Sequence, residues 1–317
     1  MCIDFPRIGF GTPTLARHAL SGATMGTRYS AVLYAAPGTN LDKLNSSLQA
    51  AVDRVDRQMS NWNPQSDLNR LNDAPVGTWV NLPSELMTVL ASALQIGHAS
   101  NGAFDIAVGD LVGAWGFGPP DNQAAGTGMP QASRMQRRAA LDVLELDQSQ
   151  GKARKSAGVA LDLSGIAKGY GVDELARVMN AFGIPAWLVG IDGEMRAKGA
   201  KPDGSLWAVA HERPDRHVRE AMGVIELRDM AVATSGHYRH GLEFDGKWLS
   251  HTMDPRTGAP LENAVASVTV LAPICIAADA WATAFMIAGP EIGLDAARAM
   301  SLDVIFVLDD GSVHTTL

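Results

Sequence analysis

The spacing of apolar residues predicts helices and short strands that follow one another irregularly. One apolar stripe indicates a helix of about five turns, and further helices are expected for residues 84–100, 274–287 and 290–300. The stripe consists of Leu41, Leu44, Leu48, Val52, Val55 and Met59. Strands are expected at residues 22–35, 186–191, 206–211, 223–227, 230–234, 267–271, 304–308 and 312–316. This order lacks the regular strand–helix–strand repeat of a parallel sheet, so we predict the α+β class.

The clearest local pattern lies in the middle of the chain. An apolar run ends at Asp162, a turn of sequence Ser-Gly-Ile-Ala-Lys-Gly follows at residues 164–169, and a helix is predicted after it. Such a turn brings free backbone N–H groups and the ammonium of Lys168 close to an anion such as a phosphate. A plain strand-to-helix connection with a surface lysine explains the same residues. The turn matches neither the Walker loop nor the Gly-x-Gly-x-x-Gly fingerprint, so no standard nucleotide site is assigned.

The composition excludes several classes of protein. The 317 residues carry a net charge of −8, which argues against a nucleic-acid partner, because such a partner requires a basic surface. No apolar run approaches the roughly 20 residues of a membrane span. Two cysteines, Cys2 and Cys275, are too few for a disulfide framework.

The ends and the longest unpatterned stretch suggest how the chain is organised. Residues 1–20 contain several Pro and Gly residues and little periodicity, so we expect a flexible arm followed by one domain over residues 21–317. The Gly/Pro/Gln-rich stretch from Trp115 to Ser133 is a candidate for a flexible loop or lid. The N-terminus has no basic region with an apolar core, so we expect a cytoplasmic chain as written, or a periplasmic one if a signal was removed.

A carboxylate interrupts an otherwise apolar helix near the C-terminus. Asp279 and Thr283 are four residues apart and share one face of the helix predicted for residues 274–287. A buried carboxylate is costly unless a partner neutralises it. That partner is either an arginine, which would form a structural ion pair, or a hard cation bound by oxygen ligands. The sequence pattern alone leaves both alternatives open.

A polar loop at residues 250–258 and two isolated side chains are further candidates for catalysis or ligand binding. His251 is a candidate general base and Arg256 a candidate phosphate ligand, although the loop could use both, with Asp254, to stabilise its own turns. Met25 is either a core residue or part of a site at the start of a strand. Trp62 is either a core anchor or a ring that stacks on a flat ligand.

Taken together, these stretches resemble the flavin transferases of the ApbE family. The resemblance runs in order from Gly22 to the C-terminus, and six motifs in sequence are far more specific than any one of them. The motifs are Gly22–Thr27, Met59–Leu68, Gly102–Val108, Asp162–Tyr170, Ser250–Gly258 and Ala278–Ala284. The resemblance implies an ApbE-like fold in which mixed sheets and packed helices form two intimately joined lobes.

The resemblance also implies an activity. An enzyme of this kind takes FAD, splits its pyrophosphate with Mg²⁺, attaches the FMN half to a threonine hydroxyl of a partner protein and releases AMP. The expected partner is an electron-transfer or membrane redox subunit. By resemblance, the metal ligands are Asp279, Thr283 and a main-chain carbonyl near Gly165, and His251 is our candidate for the base. The flavin contacts implied by the family motifs are Met25, Trp62, Ala103, Phe104, Asp105, Asp162, Lys168 and Met253.

Two departures from the family pattern bear on the adenosine side of the site. Family members often carry Asn-x-Gly-Gly before the acid in the turn after the strand at 186–191, where this chain has Gly190-Ile191-Asp192-Gly193-Glu194. The family's Ser-Gly-Asp is replaced by Ser-Gly-His at residues 235–237. Two other functions use the same residues: an Mg²⁺-dependent FAD pyrophosphatase, in which water replaces the threonine, and a non-catalytic carrier of FAD.

Overall fold

The computed structural model describes residues 14–119, 138–238, 241–244 and 246–317. In these residues the chain combines helices with mainly antiparallel strands, in agreement with the predicted α+β class. The helices are α1 (Leu41–Met59), α2 (Asp67–Asp73), α3 (Ser84–Ala99), α4 (Gly109–Ala114), α5 (Ala140–Val143), α6 (Ala167–Ala181), α7 (Cys275–Ala288) and α8 (Pro290–Met300).

The strands form one large sheet and several small ones. They are β1 (Ala16–Thr24), β2 (Thr27–Ala35), β3 (Val80–Asn81), β4 (Leu144–Asp147), β5 (Lys152–Lys155), β6 (Ala186–Ile191), β7 (Glu194–Lys198), β8 (Trp207–Glu212), β9 (Ala221–Leu227), β10 (Ala231–Gly236), β11 (Gly241–Phe244), β12 (Lys247–Ser250), β13 (Met253–Asp254), β14 (Ala259–Pro260), β15 (Val265–Ala272), β16 (Asp303–Leu308) and β17 (Val313–Thr315). The large sheet has eight strands in the order β1-β2-β6-β7-β10-β15-β16-β17. All its neighbours are antiparallel.

The two largest hydrophobic cores pack against this sheet, and helix α1 contributes to both. Leu48 belongs to the core that α1 and α6 form with β2 and β6, whereas Val55 belongs to the core formed by α3, α7, β15 and β16. Met25 packs against both cores. The two cores thus share one sheet and one helix, and helices α6 and α7 meet between them.

Helix α7 begins at a cap supplied by another helix. The carboxylate of Asp173, in α6, accepts the backbone N–H groups of Cys275 and Ile276, each at 2.9 Å. It also pairs with Arg196 Nη1 at 2.7 Å. Because the first N–H groups of a helix have no partner inside it, this carboxylate satisfies two of them and ties α6 to α7. Cys275 itself is buried and forms no disulfide.

The structure corrects the predicted N-terminal region. The expected single strand at 22–35 is a hairpin, because Met25 (φ 46°) and Gly26 (φ 70°) form a two-residue turn between Thr24 and Thr27. Strand β1 begins at Ala16, so the last five residues of the expected arm belong to the sheet. Residues 1–13, residues 120–133 of the lid candidate and Asp245 lie outside the described part of the chain. Within the described residues, no helix is both long and apolar enough to cross a bilayer.

Candidate active site

A cavity of about 250 Å³ lies where the start of α6, helix α7 and the β6–β7 turn meet. Nine of the twelve predicted site residues line it. These are Phe104, Asp105, Asp162, Gly165, Lys168, His251, Met253, Asp279 and Thr283. Residues from four of the six sequence motifs therefore converge on one space.

Asp279 is a deeply buried acid of the cavity wall, with 4% of its surface exposed. Burial, together with the charge of Glu194, raises the pKa of Asp279 to about 7, although Lys168 and the N–H of Gly169 act against the rise. Its Oδ2 accepts the Gly169 N–H at 2.8 Å. Its Oδ1 accepts no hydrogen bond from the described part of the chain. The carboxylate is therefore only partly stabilised by the protein itself.

Asp279 does not form the ion pair with an arginine that was one of its two predicted alternatives, among the residues that the structure describes. Arg196, on β7, pairs with Asp173, and no arginine among the described residues forms an ion pair with Asp279. Gly169 instead allows α6 to approach α7 closely, since a Cβ at this glycine would lie 2.7 Å from Cβ of Asp279. This contact brings the N–H of Gly169 to the carboxylate.

Oxygen donors suited to a hard cation lie beside Asp279. Thr283 follows one turn later in α7, and its Oγ1 would be 3.1 Å from a Cβ placed on Gly165. Ser235 Oγ lies 3.1 Å from the same Thr283 oxygen. The described residues contain no group of three or more His, Cys, Asp or Glu side chains arranged for a metal. A metal at this point would therefore rely on one carboxylate, hydroxyl and main-chain oxygens, and oxygens of a ligand, a donor set that fits Mg²⁺.

Lys168 extends into the cavity and is surrounded by acids. Its Nζ lies 2.7 Å from Oε1 of Glu194 and 3.9 Å from Oδ2 of Asp192. Burial alone would lower the pKa of Lys168, but the charges of Glu194 and Asp279 outweigh burial and raise it. The lysine is therefore a permanent cation at neutral pH.

The turn before α6 offers fewer free N–H groups than its sequence predicts. The N–H of Ser164 donates to Asp162 Oδ1 at 2.7 Å, while those of Ile166 and Ala167 donate to the carbonyl of Leu163 at 3.0 and 2.9 Å. These N–H groups are used within the turn itself. The lysine ammonium is thus the main positive group that this turn presents to an anion.

Hydrogen bonds of two acidic side chains hold the part of the cavity lining around Phe104 and Asp162. Asp162 accepts a hydrogen bond from Asn61 Nδ2 at 2.6 Å. Asp105 Oδ1 accepts the N–H groups of Ala107 and Ala140 at 2.8 and 3.0 Å. The contacts of Asp105 fix the backbone that follows Phe104, whose ring would lie 3.3 Å from a Cβ placed on Gly165.

The loop at residues 250–258 divides its polar residues between the cavity and its own structure. His251 and Met253 line the cavity. Asp254 and Arg256 pair with each other at 2.8 Å, and Arg256 also donates to the carbonyl of Ile287 near the end of α7 at 3.0 Å. Of the two alternatives for Arg256, the structural one therefore holds, and this arginine anchors the loop to α7.

Three of the predicted flavin contacts lie outside the cavity lining. Ala103 is buried beside it, next to Phe104. Met25 occupies the tip of the β1–β2 hairpin, and its Cε would be 3.0 Å from a Cβ on Gly171. Trp62 is 64% exposed, so the alternative of a core anchor is wrong. Trp62 follows Asn61, which binds Asp162, and so stands next to the cavity wall with its ring in solvent.

The structure adds cavity residues that the motifs did not assign. One of them is Glu194, which is buried in the wall. The other additions come from the small β8–β9 sheet and from the β10 region. They are Ala210, Glu212, Thr234, Ser235 and Tyr238. No periodic signal in the sequence marks these residues as part of a site, and β10 is placed by its pairing with β7 and β15, which are distant in sequence.

Charge is distributed very unevenly around the cavity. Six acids belong to its lining, against one lysine, among the residues that the structure describes. The acids are Asp105, Asp162, Asp192, Glu194, Glu212 and Asp279. An anionic ligand would be repelled by this wall unless a cation entered with it.

Comparison with known proteins identifies the family. The family model described as ApbE matches residues 25–306. The chain belongs to the ApbE family. The FAD:protein FMN transferase of Vibrio cholerae is 37% identical over 297 residues, which cover 92% of this chain and 88% of that protein. The FAD:protein FMN transferase of Escherichia coli K12 is 33% identical over 300 residues, covering 94% and 86%.

Solved structures of ApbE proteins share the fold. The apo form of the flavinyl transferase ApbE of Pseudomonas stutzeri matches with a TM-score of 0.83 at 34% identity, covering 95% of this chain and 94% of that chain. The ApbE protein of Thermotoga maritima matches with a TM-score of 0.85 at 26% identity, covering 94% and 96%. The predicted family and the predicted ApbE-like α+β fold are therefore confirmed.

Proposed function

We propose that this chain is an FAD:protein FMN transferase. It uses Mg²⁺ to split the pyrophosphate of FAD, transfers the FMN half to a threonine hydroxyl of a partner protein and releases AMP. The coarser part of this proposal, flavin transfer from FAD, is supported by relatives of that name over more than nine-tenths of the chain. The rest of the proposal, which is the use of Mg²⁺, the threonine acceptor and the release of AMP, is argued from the residues of the cavity.

The observation that carries the proposal is the meeting of Asp279, Thr283, Gly165 and Lys168 on one cavity wall. A bound Mg²⁺ would withdraw charge from the pyrophosphate and stabilise the departing phosphate. Asp279 and Thr283 would hold it, with main-chain oxygen near Gly165. The unpaired Oδ1 of Asp279 and the acidic lining both favour a cation there.

Lys168 has a separate task in this mechanism. Its ammonium is the positive group that the protein itself supplies to the pyrophosphate, and preorganised charge of this kind acts most strongly where water is excluded. Asp162 and Asp105 secure the backbone of the wall on which the flavin half would lie. Met25 and Trp62 would contact the ring system from the cavity mouth.

The transfer step exchanges one phosphorus–oxygen bond for another. The threonine oxygen of the acceptor bonds to the phosphorus of the FMN half, while the bond from that phosphorus to the bridging oxygen breaks. The bridging oxygen leaves with AMP, and the hydroxyl proton passes to a base. His251 is the candidate base, because it lines the cavity and an imidazole can accept a proton near neutral pH. The expected acceptor is a subunit of an electron-transfer or membrane redox complex.

An incubation with FAD, Mg²⁺ and an acceptor protein tests the proposal. A fluorescent acceptor band on a denaturing gel, together with equimolar AMP, is the expected result. Free FMN without a labelled acceptor would favour an FAD pyrophosphatase, and FAD binding without AMP release would favour a carrier. Asp279→Ala should abolish Mg²⁺-dependent AMP release, and full activity in that variant would remove the metal assignment.

A further inference from the structure

Glu194 is a buried acid that the transfer mechanism above does not use. It is the first residue of β7, and the two preceding residues, Asp192 (φ 52°) and Gly193 (φ 116°), form the tight turn that connects β6 to β7. Only 3% of its surface is exposed. A carboxylate held at this depth is costly unless it is paired, so its partners indicate its role.

The principal partner of Glu194 is Lys168. Oε1 of Glu194 accepts a hydrogen bond from Nζ of Lys168 at 2.7 Å, whereas Oε2 is buried without a hydrogen-bond partner. Asp192 lies farther from the ammonium, at 3.9 Å. One strong charge-assisted bond therefore determines where the lysine head group rests.

The lysine has a competing acid next to it. Gly169, the residue after Lys168, donates its N–H to Asp279, so the backbone of Lys168 lies close to that carboxylate. Among the described residues, however, the ion pairs of Lys168 are with Glu194 and Asp192 and not with Asp279. If the ammonium paired with Asp279, the same contact would occupy both the proposed metal ligand and the proposed phosphate-binding cation.

We propose that Glu194 is a positioning residue that keeps Lys168 away from Asp279. It holds the ammonium on the β7 side of the cavity, which leaves Asp279 available to a cation and the lysine available to the pyrophosphate. This inference rests on the proposed function, because it assumes that Lys168 meets the phosphates of FAD.

If Glu194 affected FAD only through its own negative charge, its removal would change FAD affinity in the direction opposite to that expected from positioning Lys168. Glu194 is negative, and so is the pyrophosphate, so removing the charge of Glu194 should by itself make FAD bind more tightly. If Glu194 acts through Lys168, the isosteric change Glu194→Gln should instead weaken FAD binding, because a neutral amide holds the ammonium less firmly than a carboxylate does. The direction of the change in affinity separates the two explanations.

The test is a double-mutant cycle read by FAD binding. Quenching of flavin fluorescence gives the Kd of FAD at Mg²⁺ concentrations that saturate each variant, without acceptor. Glu194→Gln should weaken binding about tenfold, the size of one charge-assisted hydrogen bond. In a Lys168→Met background the same change should cause no weakening, since no lysine remains to be positioned. Glu145→Gln is the control, because Glu145 forms a 2.7 Å pair with Arg154 in the β4–β5 hairpin, away from the cavity lining.

Each result has a distinct meaning. Equal or tighter FAD binding in Glu194→Gln, or the same weakening in the Lys168→Met background, overturns the inference and leaves the proposed function intact. Failure of the wild-type protein to bind FAD contradicts the proposed function and the inference with it. If Glu194→Gln does not fold, Glu194→Asp carries the test, because withdrawing the carboxylate by one methylene should weaken FAD binding only when Lys168 is present.

Discussion

Replacing Gly169 by alanine should disrupt the contact that brings helix α6 to Asp279. A Cβ at this position would lie 2.5 Å from the carbonyl oxygen of Cys275, 2.8 Å from its carbonyl carbon and 2.7 Å from Cβ of Asp279. Favourable contacts between carbon atoms begin at about 3.5 Å. Two of the three atoms belong to the backbone of α7, so no side-chain rotation relieves the overlap and the helices must separate.

The expected loss of stability follows from three effects. Overpacking of a core contact costs about 1–3 kcal/mol. Separation of the helices also weakens the 2.8 Å hydrogen bond from Gly169 N–H to Asp279, and a bond to a charged group is worth about 1.5–3 kcal/mol. The higher helix propensity of alanine offsets about 1 kcal/mol of this loss of stability. The net loss is about 1.5–5 kcal/mol.

Gly171→Ala provides a matched control in the same helix. A Cβ there would approach Cδ1 of Ile191 at 2.9 Å and Cε of Met25 at 3.0 Å, both ends of flexible side chains. The gain in helix propensity is the same, so the difference between the variants isolates the contact with α7. Urea unfolding gives the stabilities and calorimetry the affinity for Mg²⁺. Equal stability and equal Mg²⁺ affinity of the two variants would refute the reasoning.

Three further substitutions test other parts of the structure. His251→Ala should retain FAD binding but slow FMN transfer by about 10²–10⁴-fold, and loss of FAD binding instead would make His251 a ligand contact. Asp173→Ala should lower the free energy of unfolding by about 2–4 kcal/mol, because α7 loses its cap and Arg196 its partner; an unchanged urea midpoint would contradict this. Burial lowers the pKa of His211, whose Nε2 lies 3.1 Å from Thr269 Oγ1, so the unfolded chain binds more protons than the folded one below about pH 6.5. Stability should therefore fall with decreasing pH more steeply in the wild-type protein than in His211→Gln, and parallel pH profiles would disprove it.

The sequence predicted correctly those helices that bury a single apolar face, because that face produces a regular spacing of apolar residues. Helix α1 begins at the first residue of its predicted stripe and ends at the last one, Leu41 and Met59. Helix α8 also has the predicted bounds, because Pro290 can start a helix and Ser301, in the left-handed conformation, ends it. In such elements the local signals and the packing agree.

The β1–β2 hairpin was not predicted, and the reason is physical. Met25 adopts a positive φ, a conformation that favours glycine or asparagine, so the sequence gives no turn signal before Gly26. The pairing of β1 with β2 compensates for this local cost. The same limitation applies to Ser235, which lines the cavity on β10, a strand that pairs with β7 and β15, both distant in sequence.

The partner of Asp279 illustrates what sequence spacing can and cannot establish. An acid in a helix that is apolar on nearly all sides requires stabilisation, and this requirement follows from the sequence alone. The choice between an arginine and a cation depends on which side chains the fold brings near. Arg196 lies on β7 but pairs with Asp173, so among the described residues no arginine neutralises Asp279, and a cation at this position is what we propose.

Two separate electrostatic problems of the site have the same solution. The first is Asp279, whose buried carboxylate keeps one oxygen without a hydrogen bond and whose pKa is raised to about 7. The second is the cavity, where acids outnumber the lysine of the described lining and would repel a pyrophosphate. Lys168 cannot solve both, because its strongest bond is to Glu194. A divalent cation beside Asp279 would both neutralise the carboxylate and attract the pyrophosphate. An arginine at that position would neutralise Asp279 but would occupy the space that the pyrophosphate requires.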